Sequence, residues 1–237
     1  MNTAHDSADP NRAILSLVAH ALGDLCDELV FVGGCATGLL VTSVRAQTIR
    51  VTEDVDLVAQ VATVREYHQV EARLQARGFK HDVSPQAPIC RWRCQGIEVD
   101  LMPSEAGILG FHNRWYPLAI ETAQNVTLEN GQIIRLIAAP VFLGTKLEAF
   151  KDRGNSDFLL SHDLEDITTV VDGRAELIAE AQQAPEKLRR YLAEEFSALL
   201  KIDAFLNALA AHLPGDNASQ ARLPDLARKL RALADLP

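Results

Sequence analysis

The sequence predicts an α+β protein, a strand-and-helix half to about residue 138 followed by an all-helical half. Short apolar or alternating runs bounded by turn residues stop at residue 137. Beyond Pro140 nearly everything reads as helix, with breaks at Gly154, Gly173, Pro185 and Pro214–Gly215. No flexible linker separates the halves, so residues 1–138 and 139–237 are expected to form two tightly packed lobes.

In order, residues 12–26 read as an amphipathic helix, with Ile14, Leu17, Val18, Ala21, Leu22 and Leu25 at helical spacing. A buried strand, 28–32, ends at Gly33 and Gly34, and a short helix follows through 35–41. Residues 50–59 alternate as a half-buried strand, and 63–77 form a helix that Gly78 stops. Strands at 89–94 and 96–102 can pair around Gln95–Gly96, and 126–137 is a hairpin turning at Asn130–Gly131. From 186 onward, Leu188, Tyr191, Leu192, Phe196 and Leu199 mark a core helix face.

With 237 residues, 48% of them hydrophobic and 23% charged, the chain can bury a real core. A net charge of −9 argues against a broad basic surface that tracks nucleic acid, although a local phosphate pocket stays compatible with it. No run approaches the ~18 apolar residues of a membrane span, and the polar, acidic first ten residues resemble no leader peptide, so a cytoplasmic protein without a membrane partner is expected. Cys26, Cys35, Cys90 and Cys94 are too few and too scattered for a disulfide framework. The pair in "CRWRC" lacks a second pair at zinc-like spacing, so packed thiols are expected there.

The chemistry concentrates on carboxylates. Residues i and i+2 of a strand share a face, so Asp54 and Asp56 point one way while Val55 and Leu57 point to the core. In "GIEVDLM" the same arithmetic puts Glu98 and Asp100 on a polar face. Taken alone, Asp-x-Asp at a sheet rim needs no function. Carboxylates this close repel unless a cation binds them, and Mg²⁺ is the usual hard partner. Two such ions, roughly 3.5–4 Å apart, serve phosphoryl or nucleotidyl transfer. Gly33–Gly34, between a strand and a helix, would let backbone N–H groups approach phosphate oxygens.

The Gly pair followed by Arg50, Thr52, Asp54, Asp56 and Leu57 resembles the signature of the DNA polymerase β-like nucleotidyltransferase superfamily. More narrowly, "ICRW", "IEVDLMPS", "ILGFHNRWY", "TKLEAFKDRG", "SHDLEDI" and "VDGR" are similar to segments of abortive-infection AbiEii-type nucleotidyltransferases. The studied members of that group are toxins of toxin–antitoxin pairs. The resemblance covers roughly residues 30 to 175. It implies a small mixed β-sheet core with flanking helices and a helical C-terminal lobe. It also implies that Asp54, Asp56 and Asp100 hold two Mg²⁺ ions, with Mn²⁺ an alternative, and that Gly33, Gly34, Arg50, Thr52 and Lys146 lie on an NTP. The superfamily's commonest pattern has Gly-Ser where this chain has Gly33–Gly34, which removes a phosphate-binding hydroxyl and leaves the amides.

In "PVFLGTKLEAF", Leu143, Leu147 and Phe150 form an apolar stripe and Lys146 falls beside it. Its ammonium either snorkels along the core edge or reaches a cleft between the lobes. The resemblance favours the cleft, because AbiEii-like enzymes carry a helix lysine on the triphosphate. Ser161 is a good N-cap, and Asp163, Glu165 and Asp166 place charge where a helix dipole welcomes it. Capping would explain that cluster, but the resemblance makes Asp163 the active-site acid, with Asp166 second. His162 reads as a structural hydrogen-bonder. Arg50 could contact phosphate or fix a loop, Arg91 leads toward Asp100, and Arg174 ends a helix.

The expected activity is transfer of NMP from an NTP to an acceptor hydroxyl with release of pyrophosphate. By analogy with the family, the acceptor is a tRNA 3′ end or other RNA, and a cognate antitoxin is the partner. Transfer to a small hydroxyl compound of the aminoglycoside type and a non-catalytic nucleotide-binding module are the rival readings.

Overall fold

The computed structural model describes residues 9–43, 49–154 and 156–237, so most of the polar, acidic opening decapeptide lies outside it. Helix α1 (Arg12–Leu22) runs into a 3₁₀ turn (Gly23–Asp27), then β1 (Val30–Val32), a second 3₁₀ turn (Gly34–Ala36) and the short α2 (Thr37–Leu40). Strand β2 (Asp54–Ala59), α3 (Val64–Ala76), β3 (Lys80–His81), β4 (Arg91–Cys94) and β5 (Ile97–Pro103) follow. After α4 (Tyr116–Glu121) come β6 (Gln124–Thr127) and β7 (Ile133–Leu136). The remainder is helical: α5 (Ala139–Arg153), α6 (His162–Gly173), α7 (Leu177–Gln183), α8 (Glu186–Leu199), α9 (Asp203–Ala208), α10 (Asn217–Gln220) and α11 (Leu223–Ala234).

The strands form one mixed sheet in the order β3-β4-β5-β2-β1-β7-β6. β2 pairs parallel with β5 and β1 parallel with β7, and the other pairs are antiparallel. Parallel neighbours need a long crossover, and α3 with β3 and β4 supplies it between β2 and β5. Thr63 and Glu66 close a capping box on α3, each side chain bonded to the other's backbone N–H. The β4–β5 hairpin turns on Gln95 (φ 51°) and Gly96 (φ 85°), the pair of positive φ angles that matches strand twist in a two-residue loop.

Several boundaries differ from those the sequence predicts. The helix expected over 12–26 is broken at Gly23, whose φ of 57° diverts the chain into a 3₁₀ turn. The strand expected over 50–59 starts only at Asp54. The buried Asn11 side chain takes the backbone instead: its Nδ2 donates to the Arg50 carbonyl and its Oδ1 accepts from Thr52 N–H. The short helix at 35–41 is divided into a 3₁₀ turn and α2. Strand β3 and helix α4 arise where no element is expected.

One apolar core runs through the molecule, from Phe31, Val55 and Val99 in the sheet to Phe142, Leu188 and Leu230 in the helices. The Trp115 and Tyr191 rings, 5.0 Å apart, join the segment before α4 to α8. All four cysteines are free and buried. Among the described residues, no helix is long and apolar enough to cross a membrane.

Candidate active site

Four neighbouring strands converge on one set of carboxylates. In the parallel β2–β5 pair, Asp54 lies opposite Glu98 and Asp56 opposite Asp100, so alternation points all four to the same face. Asp54, Asp56 and Asp100 each offer an oxygen within 4.8 Å of the others. On the far side of β2, Val32 is the partner of Asp56, and the chain leaves β1 there through Gly33. A Cβ on Gly33, whose φ is 71°, would overlap the Asp56 carboxyl group. A Cβ on Gly34 would come within 2.7 Å of the Arg50 guanidinium and 3.3 Å of Asp166. The second glycine is thus the residue that leaves room for an ion pair.

Burial, and after it the Asp54 charge, push the Asp56 carboxyl up to about 7 against the pull of Lys146. That is the signature of a carboxylate short of positive charge. Three hard oxygen donors at this spacing fit Mg²⁺ or Mn²⁺ and are poor ligands for a soft metal.

Arg91 answers part of that deficit. It pairs with Asp100 across the β4–β5 hairpin and forks both carboxylate oxygens, Nε to Oδ1 and Nη2 to Oδ2, each at 2.8 Å. It also binds Glu98, and its Nη2 lies 3.8 Å from Asp54 Oδ2.

The helices supply a second charge cluster. Lys146 on α5 is buried, with Nζ 2.6 Å from Asp166 Oδ2 and 3.2 Å from Asp163 Oδ1. Burial works against the ammonium, but Asp166 and Asp163 outweigh it and hold its pKa above the usual lysine value. Arg153 forks Asp163 at 2.9 and 3.0 Å. Burial opposes the Asp163 carboxylate, yet Arg153 and Lys146 hold its pKa below the ordinary range. Arg50 reaches across from the strand half to Asp166 at 3.3 Å and Glu165 at 3.8 Å. Asp163 and Asp166 are therefore buried partners of cations, and the N-cap of α6 is Ser161, which accepts from Leu164 N–H. His162 is exposed and lies 3.4 Å from Glu165.

Both clusters line a single cleft of about 1110 Å³, bordered also by Phe111, His112 and Leu160. Of the catalytic, nucleotide-binding and metal-binding residues expected from sequence, Gly33, Gly34, Arg50, Asp54, Asp56, Asp100, Lys146 and Asp163 line it. Thr52 does not; it is buried, with its hydroxyl 3.4 Å from the Asp54 carbonyl. Asp166 sits just behind the wall. Arg153 is the site residue that sequence reasoning missed, although it stands seven residues after Lys146 and so on the same helix face.

No family model matches the chain, and no curated protein matches it. Solved structures similar to it include three at 13% identity each. The antibiotic-resistance factor ANT(2″)-Ia aligns with a TM-score of 0.46 over 81% of this chain and 97% of its own. JHP933 from Helicobacter pylori aligns with a TM-score of 0.46 over 96% of this chain and 91% of its own. An H. pylori chain described as a candidate nucleotidyltransferase aligns with a TM-score of 0.44 over 96% and 94%.

Proposed function

We propose that the protein is a divalent-metal-dependent nucleotidyltransferase that moves NMP from an NTP to an acceptor hydroxyl. The observation that supports this best is the parallel register of β2 and β5, which sets Asp56 beside Asp100 with Asp54 within reach. Asp54, Asp56 and Asp100 would hold two Mg²⁺ ions, or Mn²⁺ in their place. When bound, these supply charge neutralisation for the triphosphate and acidify the acceptor hydroxyl.

The chain's own groups do the rest. Gly33 and Gly34 line the cleft, where their amides would offer donors, and Lys146, Arg50 and Arg153 bring cations to it, each paired with Asp163, Asp166 or Glu165. Asp163 and Asp166 hold the Lys146 ammonium in place. The acceptor oxygen attacks the α-phosphorus, the bond to pyrophosphate breaks, and Asp100 takes up the acceptor's proton. A cleft of about 1110 Å³ has room for a nucleotide together with part of an acceptor.

The AbiEii resemblance puts a tRNA 3′ end first among acceptors, with growth arrest as the consequence and a cognate antitoxin as partner. The cleft's own charge favours a second reading, a small neutral or cationic hydroxyl compound. Among the described residues, six aspartates line the cleft (54, 56, 100, 152, 157 and 163) against four cations, Arg50, Arg91, Lys146 and Arg153. Incubation with Mg²⁺ and radiolabelled NTPs, in parallel with total RNA and with a small-molecule extract, tests both. An acceptor labelled by wild type and not by Asp56→Ala is the expected result. Absence of any such acceptor overturns the enzyme reading, and the labelled fraction decides between RNA and small molecule.

A further inference from the structure

Arg91 stands where a cation is needed. Its guanidinium engages both oxygens of Asp100, binds Glu98 and approaches Asp54, so it touches two of the three carboxylates that would hold metal. Forked arginine–carboxylate pairs are the strong kind, and Asp100 is nearly buried. Yet the arginine is not locked in. Its side chain is 20% exposed and lines the cleft, which gives it space to turn toward a bound ligand. Nor would its departure strand Glu98, because Arg93 donates to Glu98 at 2.8 Å from the same strand.

We propose that Arg91 is an exchangeable counter-cation: it holds Asp100 in the metal-free protein, releases it to a divalent ion, and moves to an anion bound in the cleft. This inference rests on the metal reading above. Its physical content is a coupling between two ligands. Metal must displace a charge-assisted pair, so it binds weakly alone. An anion that accepts the freed guanidinium lowers the cost of displacement, so each ligand strengthens the other. The competing possibility is that Arg91 only orients Asp100, as partners behind metal ligands commonly do. The two differ in sign: removing a competitor tightens metal binding, and removing an orienting group weakens it.

The test is Mn²⁺ binding to the full chain, read from the free-ion electron paramagnetic resonance signal at constant ionic strength, with and without sulfate as the anion. Wild type, Arg91→Gln, Arg91→Lys and Asp56→Asn are compared. Arg91→Gln is expected to bind Mn²⁺ about fivefold or more tightly than wild type without sulfate. Sulfate is expected to tighten binding in wild type and leave Arg91→Gln unchanged. Arg91→Lys keeps the charge but cannot fork, and should shift the same way by less. Arg91→Gln should also melt at a lower temperature than wild type without metal and recover on adding Mn²⁺. Equal or weaker Mn²⁺ binding by Arg91→Gln overturns the proposal; if that variant does not fold, equal or weaker binding by Arg91→Lys does so. A wild type indifferent to sulfate overturns the anion half. Mn²⁺ binding that survives Asp56→Asn, or is absent from wild type and Arg91→Gln alike, overturns the metal reading itself and this inference with it.

Discussion

The Asp56 carboxyl group lies against the bare Cα of Gly33, in space that a Cβ at that position would fill. The strand that carries the acid and the turn that would face phosphate are thus built around one missing methyl group.

Gly33→Ala should therefore damage both stability and the site. Alanine meets a φ of 71° and the Asp56 carboxyl together, and the backbone strain alone is on the order of 1–3 kcal/mol. A lower urea midpoint with Mn²⁺ binding abolished is the expected outcome. Unchanged binding would mean that Asp56 can move aside at no cost to the metal site.

The pH dependence of the metal-free protein should follow Asp56. Its carboxyl is pushed up to about 7, whereas an unfolded-chain aspartate ionises at ~3.9. The native state holds the proton more tightly than the unfolded one, so this group's contribution is fully present at acid pH. It is lost as pH rises through that interval toward 7. Melting temperature in chelator should fall on this account between about pH 4 and about pH 7, and Asp56→Asn should flatten the fall. Mg²⁺ should restore wild-type stability above neutrality, and its affinity should decline below pH 7 as the proton competes. A melting temperature that does not fall over this range in wild type would contradict the placement of Asp56.

Lys146→Met should be among the costliest single changes in the helical half. It leaves Asp163 and Asp166 buried, Asp163 with Arg153 alone and Asp166 with Arg50 at 3.3 Å. Breaking a buried pair by removing one partner costs about 3–5 kcal/mol. Adding Asp166→Asn should recover part of that loss, and chemical denaturation of the four proteins of the cycle measures the coupling. Additive losses would show that the pair contributes nothing beyond its separate parts.

Much of this architecture is legible in the chain because it follows from short-range rules. Period-2 alternation puts Asp54 with Asp56 and Glu98 with Asp100, and Gln95–Gly96 dictates its own hairpin. That hairpin also carries a signal for the site. With Gln95 and Gly96 as the turn, Cys94 faces Ile97, and stepping outward pairs Arg91 with Asp100, so the forked ion pair was within reach of simple counting. The missed breaks have local causes of a different kind. Gly23 stops α1 by adopting a left-handed φ, which a glycine permits but does not require, and residues 50–53 stay irregular because Asn11, about forty positions earlier, takes their hydrogen bonds.

What the sequence by itself determined is which faces are polar, where the two hairpins turn, and that three aspartates are available on strand faces. What only the tertiary structure decided is their meeting. The parallel register of β2 against β5 joins segments more than forty residues apart, and the approach of α5 to α6 surrounds Lys146 with two aspartates. Local rules rest on steric limits to φ and ψ and on side-chain period, which each segment carries within itself. The register and the buried ion pairs rest on burying a shared apolar core and matching charge across it, and no single segment holds that information.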